Sequence, residues 1–455
     1  MLLQNWWFTT LIGTKRPIQP PLKEELKCDV LIIGGGAAGL AAAARFVGTG
    51  KKVVLLERNI CGGSSTGKSA GFLTPDSELE LSQLIRRFGP QGAKDLWKVP
   101  VRGIDLMLSL IRSSGTECDL QRQDSLFLGK GRSGIRDVGE EQASRKSLGY
   151  ESAVYYGEDV RKVVGSDGYS AAVRYKDTYG VDALRYAQGV KGMLVDNGVD
   201  VYEASGVLSF SDHTAKTHMG SVTADEVIFC ADKLGPELSP YSWNVYHEQT
   251  FLSITEPLSR AEQCAMFPEE PFQCWDSDLV YSYFRLTGSK RLLLGGGSLL
   301  ATYAKNDTTN SQVIDKVIGG FRRMFPRLTK VRFSQFWMGR IDMTRDLLPT
   351  MLKEKEHPWV HRIFGCVGLP WATFCGDFAA RQILAENEAG DEEYYRYFDV
   401  NRNFLVPLWT ERIIGKRLAF PINNAWAKYY QKDARAPGAL TTVPPTELGK
   451  LPGNA

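Results

Sequence analysis

Three glycines in G-x-G-x-x-G spacing, Gly34, Gly36 and Gly39, and an acid eighteen residues further on, Glu57, are the groups of this 455-residue chain whose types and spacing point most directly to chemistry. In such a turn the first glycine permits a tight reversal, the second lets the backbone approach a pyrophosphate, and the third lets a helix pack close against a strand. The amides of a helix opening at Ala37 and Ala38 then face the anion. Glu57 suits a carboxylate that accepts hydrogen bonds from ribose hydroxyls and repels a 2'-phosphate. A glycine triplet alone is a weak signal, because glycine-rich turns are common. Its flanks agree with it here. Residues 30–33 are an all-apolar run of the kind buried on both faces of a parallel sheet, 41–44 continue a helix that Gly48 and Gly50 end, and 53–56 form a second apolar strand closing on Glu57. The order strand, turn, helix, strand, acid predicts a dinucleotide site. These residues leave open whether the ligand is FAD or NAD.

The elements that must position this site belong to an ordinary globular chain. With 43% hydrophobic residues it can bury a sizeable core, and its length fits two or perhaps three connected domains. A formal net charge of +3, from 55 basic and 52 acidic residues, gives no basic stripe, so nucleic acid is not a favoured partner. Eight cysteines without C-x-x-C pairs and five histidines without metal-ligand spacing predict neither a disulfide framework nor a metal site. Cys28, Cys61 and Cys230 read as small buried hydrophobes. Residues 1–27 lack a basic start followed by a long apolar run, so neither a secretory signal nor a membrane span is expected, and the default location is the cytoplasm. Short β-rich runs such as VDVYEAS, SVTADEVIFCAD and SKRLLLGGG alternate with helical stretches at 184–197 and 313–325, so two layers should interleave along the chain. The stretch 402–430 sets Trp409, Ile413, Ile414, Phe420 and Trp426 among Arg and Lys; a packed C-terminal cap accounts for it more economically than membrane-surface contact. The residues from Ala434 onward, rich in proline, glycine and threonine, read as a surface tail.

After Glu57 the sequence RNICGGSSTGKSAGFLTPDSE forms a second small-residue loop, where a nicotinamide dehydrogenase would run into its next helix. In this the chain resembles the amine and amino-acid oxidase superfamily related to D-amino-acid oxidase, most closely its gamma-glutamylputrescine oxidase-like branch. The superfamily loop A-S-G-R-N-G-G aligns without a gap on Ser65-Thr66-Gly67-Lys68-Ser69-Ala70-Gly71. NWWFTT is similar to the aromatic lead-in, TADEVIFCAD to the strand ending over the cofactor, YSYFRLTGSKRLLLGGG to the sheet above it, and FPRLTKVRFSQFWMGRIDMTRDLLPTM to the segment returning to it.

The resemblance implies an α/β fold in which a Rossmann-like FAD-binding domain is interleaved with an α+β substrate domain built on a mostly antiparallel sheet. It places the FAD layer at 1–75, 150–245 and 336–385, the substrate layer at 76–149 and 246–335, and C-terminal helices with a tail at 386–455. FAD, held noncovalently, would touch Gly34, Gly36, Ala37, Ala38, Gly39, Glu57, Arg58, Ser65, Thr66, Gly67, Lys68, Val207 (over the adenine), Ala231, Gly339, Gly368, Trp371 and Thr373. The implied reaction is oxidation of a carbon–nitrogen bond to an imine that water hydrolyses, with oxygen or another acceptor taking the electrons.

Departures from the pattern narrow this reading. Where the amino-acid oxidases carry the arginine of G-L-R-P, suited to gripping a carboxylate bidentately, this chain has Ile341, with Arg340 on the opposite strand face. An amine or N-substituted amino compound is therefore favoured over a plain α-amino acid. Leu293 stands where sarcosine oxidases place an oxygen-activating lysine, which keeps open a dehydrogenase passing electrons to a quinone or protein. Trp371, Ala372 and Thr373 replace a G-H-G before the last long helix, which keeps open a flavin-binding subunit without turnover.

Four side chains are candidates for catalysis. Lys68 replaces the loop arginine and could hold flavin or substrate, the alternative being a solvated lysine. Tyr283 and Arg285, two apart on one strand, could line the pocket or form an interdomain pair. Trp371, like Trp337, could wall an amine through cation–π contact or simply pack in the core. Asp377 reads as a helix N-terminal acid. The oligomeric state is not fixed by these residues.

Overall fold

The structure, a computed structural model, describes residues 1–12, 14, 17–76, 78–278, 280–297, 310–402 and 408–429. The expected tail from Ala434 lies outside them.

Alternation along two short apolar strands builds the first layer. In β1 (Glu25–Ile33), Val30 and Ile32 enter one core and Leu31 and Ile33 another; in β2 (Val53–Leu56), Val53 and Leu55 part from Val54 and Leu56 in the same way. Both faces of the sheet are therefore covered, which is why these strands are apolar throughout. Helix α1 (Ala37–Arg45) connects them. The parallel core runs β3 (Asp200–Tyr202), β2, β1, β4 (Ser221–Phe229), with Ile32 opposite both Leu55 and Ile228. Beyond it β5 (Val360–Phe364) adds in parallel to β4 and β6 (Thr350–Lys353) pairs antiparallel with β5, so in chain order the hairpin's first strand is the outer one. Helix α2 (Leu369–Ile383) lies across α1, so close that a Cβ on Gly376 would fall 1.9 Å from the Ala38 carbonyl oxygen.

The second layer is a nine-stranded sheet whose longest pairing joins Tyr246–Pro257 to Phe333–Met343, and its neighbours are antiparallel except at Leu2–Leu3 against Phe333–Met343 and Ser125–Gly129 against Gln273–Asp276. The fold is the expected one, a Rossmann-like layer interleaved with a mostly antiparallel sheet. Sheet membership differs from the expected layers in four places: residues 2–3, 154–156, 171–175 and 336–343 pair in the nine-stranded sheet rather than beside β1. Apolar alternation reports that a strand is half-buried but not which sheet supplies its partner.

The helices expected at 184–197 and 313–325 form at Ala183–Asp196 and Ser311–Met324. The long helix Leu81–Ser114 is kinked at Gly89, whose φ of 74° breaks the helical path just before Pro90. At the C-terminal end Phe420 is buried and Trp426 packs on the main core, whereas Trp409 and Ile413 face solvent. Among the described residues no helix is long and apolar enough to cross a membrane.

Candidate active site

The β1 strand runs out at Ile33 and the chain reverses at Gly34, whose φ is 111°. A Cβ on Gly39 would fall 1.8 Å from the Gly34 carbonyl oxygen, so only glycine lets α1 start this close to the strand end. The caps of α1 and α2, Gly36 and Gly368, both lack a side chain that could satisfy their first-turn amides, and both open on one cleft. At the end of β2, Glu57 Oε2 accepts from the Gly35 amide at 2.8 Å and Oε1 from the Asn59 amide at 2.8 Å, while burial pushes its carboxyl above the usual range. The cleft offers ≈ 1440 Å³ free of protein atoms, including the part open to solvent. Two helix ends whose cap residues carry no side chain of their own, and a carboxyl at a strand terminus, fit a dinucleotide with its diphosphate and ribose.

Of the residues expected to touch the cofactor, Gly34, Gly36, Ala37, Ala38, Glu57, Arg58, Ser65, Thr66, Val207, Ala231 and Gly368 line this cleft. Gly39 packs beneath the turn. Gly67, Lys68 and Gly339 are not among the residues lining the cleft, although Ser69 is; a Cβ on Gly339 would come 3.2 Å from the Lys68 Cβ behind it. Trp371 and Thr373 turn away from the cleft lining. The Trp371 ring packs edge-on against Phe398 at 6.1 Å, and its Nε1 and the Thr373 hydroxyl are buried without a hydrogen-bond partner among the described residues.

The Lys68 loop is gripped from four directions. Gly67 O accepts from Asn5 Nδ2 at 2.6 Å, Lys68 O from Trp337 Nε1 at 3.0 Å, Ser69 O from Trp7 Nε1 at 2.8 Å, and Ala70 O from Arg285 Nε at 2.9 Å. A buried loop must find partners for its carbonyls outside secondary structure, and here four consecutive ones do so on side chains. The N-terminal segment has this use: Asn5 caps the helix Trp6–Leu11 through Oδ1 to the Trp7 amide, and its amide group holds Gly67. Thr66 ties the loop to the first helix by accepting from the Ala37 amide at 3.0 Å.

Arg285 is wholly buried and outside the cleft. Its Nη2 donates to Val181 O at 2.8 Å, its guanidinium lies 5.8 Å from the Trp7 ring, and burial lowers its pKa to about 10. Tyr283, on the same strand, stacks edge-on against Phe72 at 6.0 Å and lies 5.7 Å from Tyr281. Both therefore bear on the segment just after Lys68. Trp337 is buried edge-on to Trp7 at 6.3 Å, and Leu293 belongs to the same apolar cluster. Ile341 lines the cleft.

Asp232 and Lys233 line the cleft as well and were not singled out by sequence; the apolar strand ends at Phe229, and nothing in the pattern beyond Ala231 marks them. Lys233, at φ 63°, reaches Ser64 Oγ and Ser65 Oγ at 3.1 Å each, and its amide donates to Asp342, which also binds His247 Nδ1 at 2.7 Å. Asp232 accepts from Ser65 Oγ at 2.8 Å; burial, then the charge of Asp342, raises its pKa to about 6.

The family model for DAO, FAD dependent oxidoreductase, matches residues 29–382. The chain is 27% identical over 426 residues to the probable oxidoreductase OrdL of Haemophilus influenzae, covering 91% of this chain and 94% of that one. It is 26% identical over 418 residues to the gamma-glutamylputrescine oxidoreductase of Escherichia coli, covering 90% and 93%. Among solved structures it resembles glycine oxidase from Geobacillus kaustophilus (TM-score 0.70, 16% identity, 81% of this chain and 98% of that one) and L-proline dehydrogenase from P. horikoshii (TM-score 0.68, 17% identity, 83% and 98%).

Proposed function

The chain belongs to the DAO family of FAD dependent oxidoreductases, and from that premise we propose that it oxidises the carbon–nitrogen bond of an amine or N-substituted amino compound to an imine, which water hydrolyses to an aldehyde or ketone. Bound FAD supplies the acceptor for the hydride that leaves the carbon. The turn from Gly34 to Ala38 would hold its diphosphate, Glu57 a ribose, and the N-terminus of α2 the electron-rich edge of the flavin.

The observation that carries the amine reading is Ile341 in the cleft wall. Related amino-acid oxidases need a cation there to bind a carboxylate; an apolar side chain offers a carboxylate no partner and costs a neutral amine less than a charged carboxylate. The chain's own part in the reaction is positional. The fourfold grip on residues 67–70 fixes the segment that carries Ser69 into the cleft lining, and the apolar cluster of Trp7, Leu293 and Trp337 behind it keeps water from that side. The relative from Escherichia coli, named for gamma-glutamylputrescine, lends the same direction to the substrate class.

The reading is tested by incubating FAD-loaded protein with primary amines and N-methyl amino acids and trapping carbonyl products with a hydrazine reagent. One carbonyl per amine consumed is expected; consumption without a carbonyl, or none with any compound, overturns it. A second reading, transfer of electrons to a quinone or protein rather than oxygen, is favoured by Leu293, an apolar residue buried beside Trp337. Slow reoxidation of the reduced protein in air, measured by stopped flow, would support it.

A further inference from the structure

Among the described residues that line the cofactor cleft, two carry a cationic side chain, Arg58 and Lys233, against three carboxylates, Glu57, Asp232 and Glu237. A dinucleotide brings further negative charge in its diphosphate. The turn from Gly34 to Ala38 meets that charge with backbone amides, since the cap of its helix, Gly36, has no side chain to add. Arg58 is directed elsewhere: its stem lies against Gly206, where a Cβ would come 3.3 Å from the Arg58 Cγ, next to Val207, the residue expected over the adenine.

Lys233 meets the loop that touches the turn. Its ammonium donates to Ser64 Oγ and Ser65 Oγ at 3.1 Å each, and the following residue, Thr66, accepts from the Ala37 amide at 3.0 Å. The lysine head and the first turn of α1 are therefore joined through one segment of three residues, all of which line the cleft. The backbone of Lys233 has a φ of 63°, in the left-handed region that a long side chain seldom adopts. Buried Asp342 holds it there, accepting from the Lys233 amide at 2.7 Å while its other oxygen pairs with His247 Nδ1 at 2.7 Å. A strained conformation pinned by a buried carboxylate aims the side chain that follows it.

Taking the diphosphate to sit at the turn from Gly34 to Ala38, as the proposed function does, we propose that Lys233 is a diphosphate-binding residue, its ammonium adding a full positive charge to the partial charges of the α1 amides. The competing account is that Lys233 serves only to offset Asp232, which accepts from Ser65 Oγ at 2.8 Å. A lysine with that role would stabilise the fold and be indifferent to the ligand's phosphates.

The test reads flavin release rather than turnover. FAD-loaded full-length protein is diluted and the freed flavin followed by fluorescence, for the parent, Lys233→Gln and Lys233→Arg. Lys233→Gln should hold FAD at least about tenfold more weakly, as for the loss of one hydrogen bond to a charged group, and Lys233→Arg should stay near the parent. Raising NaCl from about 0.05 M to about 0.5 M should loosen FAD from the parent more than from Lys233→Gln. In competition with FAD for FAD-free protein, ADP should lose affinity in Lys233→Gln while adenosine keeps it. Unchanged FAD retention in Lys233→Gln, or an equal loss for ADP and adenosine, overturns the proposal. Should Lys233→Gln not fold, the parent decides: FAD retention that salt does not reduce overturns the proposal, and retention that falls with salt in both the parent and Lys233→Arg supports it. A parent that binds ADP no better than adenosine would overturn the placement of the diphosphate as well. Bleaching of bound flavin by amines is measured separately and bears on the proposed reaction alone.

Discussion

The indole Nε1 of Trp337 donates to the carbonyl of Lys68 at 3.0 Å, fixing the loop next to Ser69, which lines the cleft. Asn5, Trp7 and Arg285 hold the carbonyls on either side of it, so the loop's path is set by donors drawn from both ends of the chain.

Trp337→Phe keeps the ring and removes the donor, leaving the buried Lys68 carbonyl unsatisfied. A loss of about 1–3 kcal/mol is expected. Chemical denaturation measures it, and an unchanged midpoint contradicts the grip.

Arg285→Lys should be damaging although it preserves charge, because one ammonium cannot reproduce the fork that reaches Ala70 and Val181. A loss of about 2–4 kcal/mol is expected, with reduced flavin content in the purified protein. Tyr283→Phe should cost far less. If the two substitutions were equally mild, Arg285 would not be holding the loop.

Gly39→Ala places a Cβ where the Gly34 carbonyl oxygen already sits, 1.8 Å away. The turn must open, and FAD should bind at least about tenfold more weakly, a change of roughly 1.4 kcal/mol, measured by flavin release on dilution. Retention equal to the parent would mean that the turn does not shape the diphosphate site.

The strand, turn and helix around Gly34 and the acid at Glu57 could be read from sequence because each is local: an apolar run, glycines at fixed spacing and a terminal acid lie within one short segment. The loop around Lys68 is legible through its resemblance to the superfamily loop, and its residues Ser65, Thr66 and Ser69 line the cleft. Arg285 was harder. Strand periodicity placed it on one face with Tyr283 but does not tell that its head turns to two backbone carbonyls. Trp371 stands inside the first turn of α2 rather than before the helix as expected, and its ring points to Phe398, a direction set by a helix arriving later in the chain. A second pocket, lined by Asp76, Glu80, Asp276 and Trp275 among others, draws its walls from 76–86, 127–140 and 275–281, segments with no shared local pattern.

The raised pKa of Asp76 has a consequence for stability. Its folded value is about 7 against an ordinary 3.8, raised by burial and by Glu78 and Glu141 against the Thr74 hydroxyl, so the folded protein binds this proton more tightly than the unfolded chain. The contribution is favourable at acid pH and is lost as pH rises from about 4 to about 7. Asp76→Asn, which cannot ionise, should therefore gain melting temperature relative to the parent between pH 5 and pH 8. A gap that stays constant or reverses over that range contradicts the assignment.

The central claim is that this cleft holds FAD open to a carbon–nitrogen bond, and anaerobic titration of the yellow protein with amines tests it most directly. Loss of the oxidised flavin absorbance, in proportion to amine added and greater for amines than for α-amino acids, is the expected result. A protein that purifies colourless and refuses added FAD, or whose bound flavin no amine reduces, would contradict it.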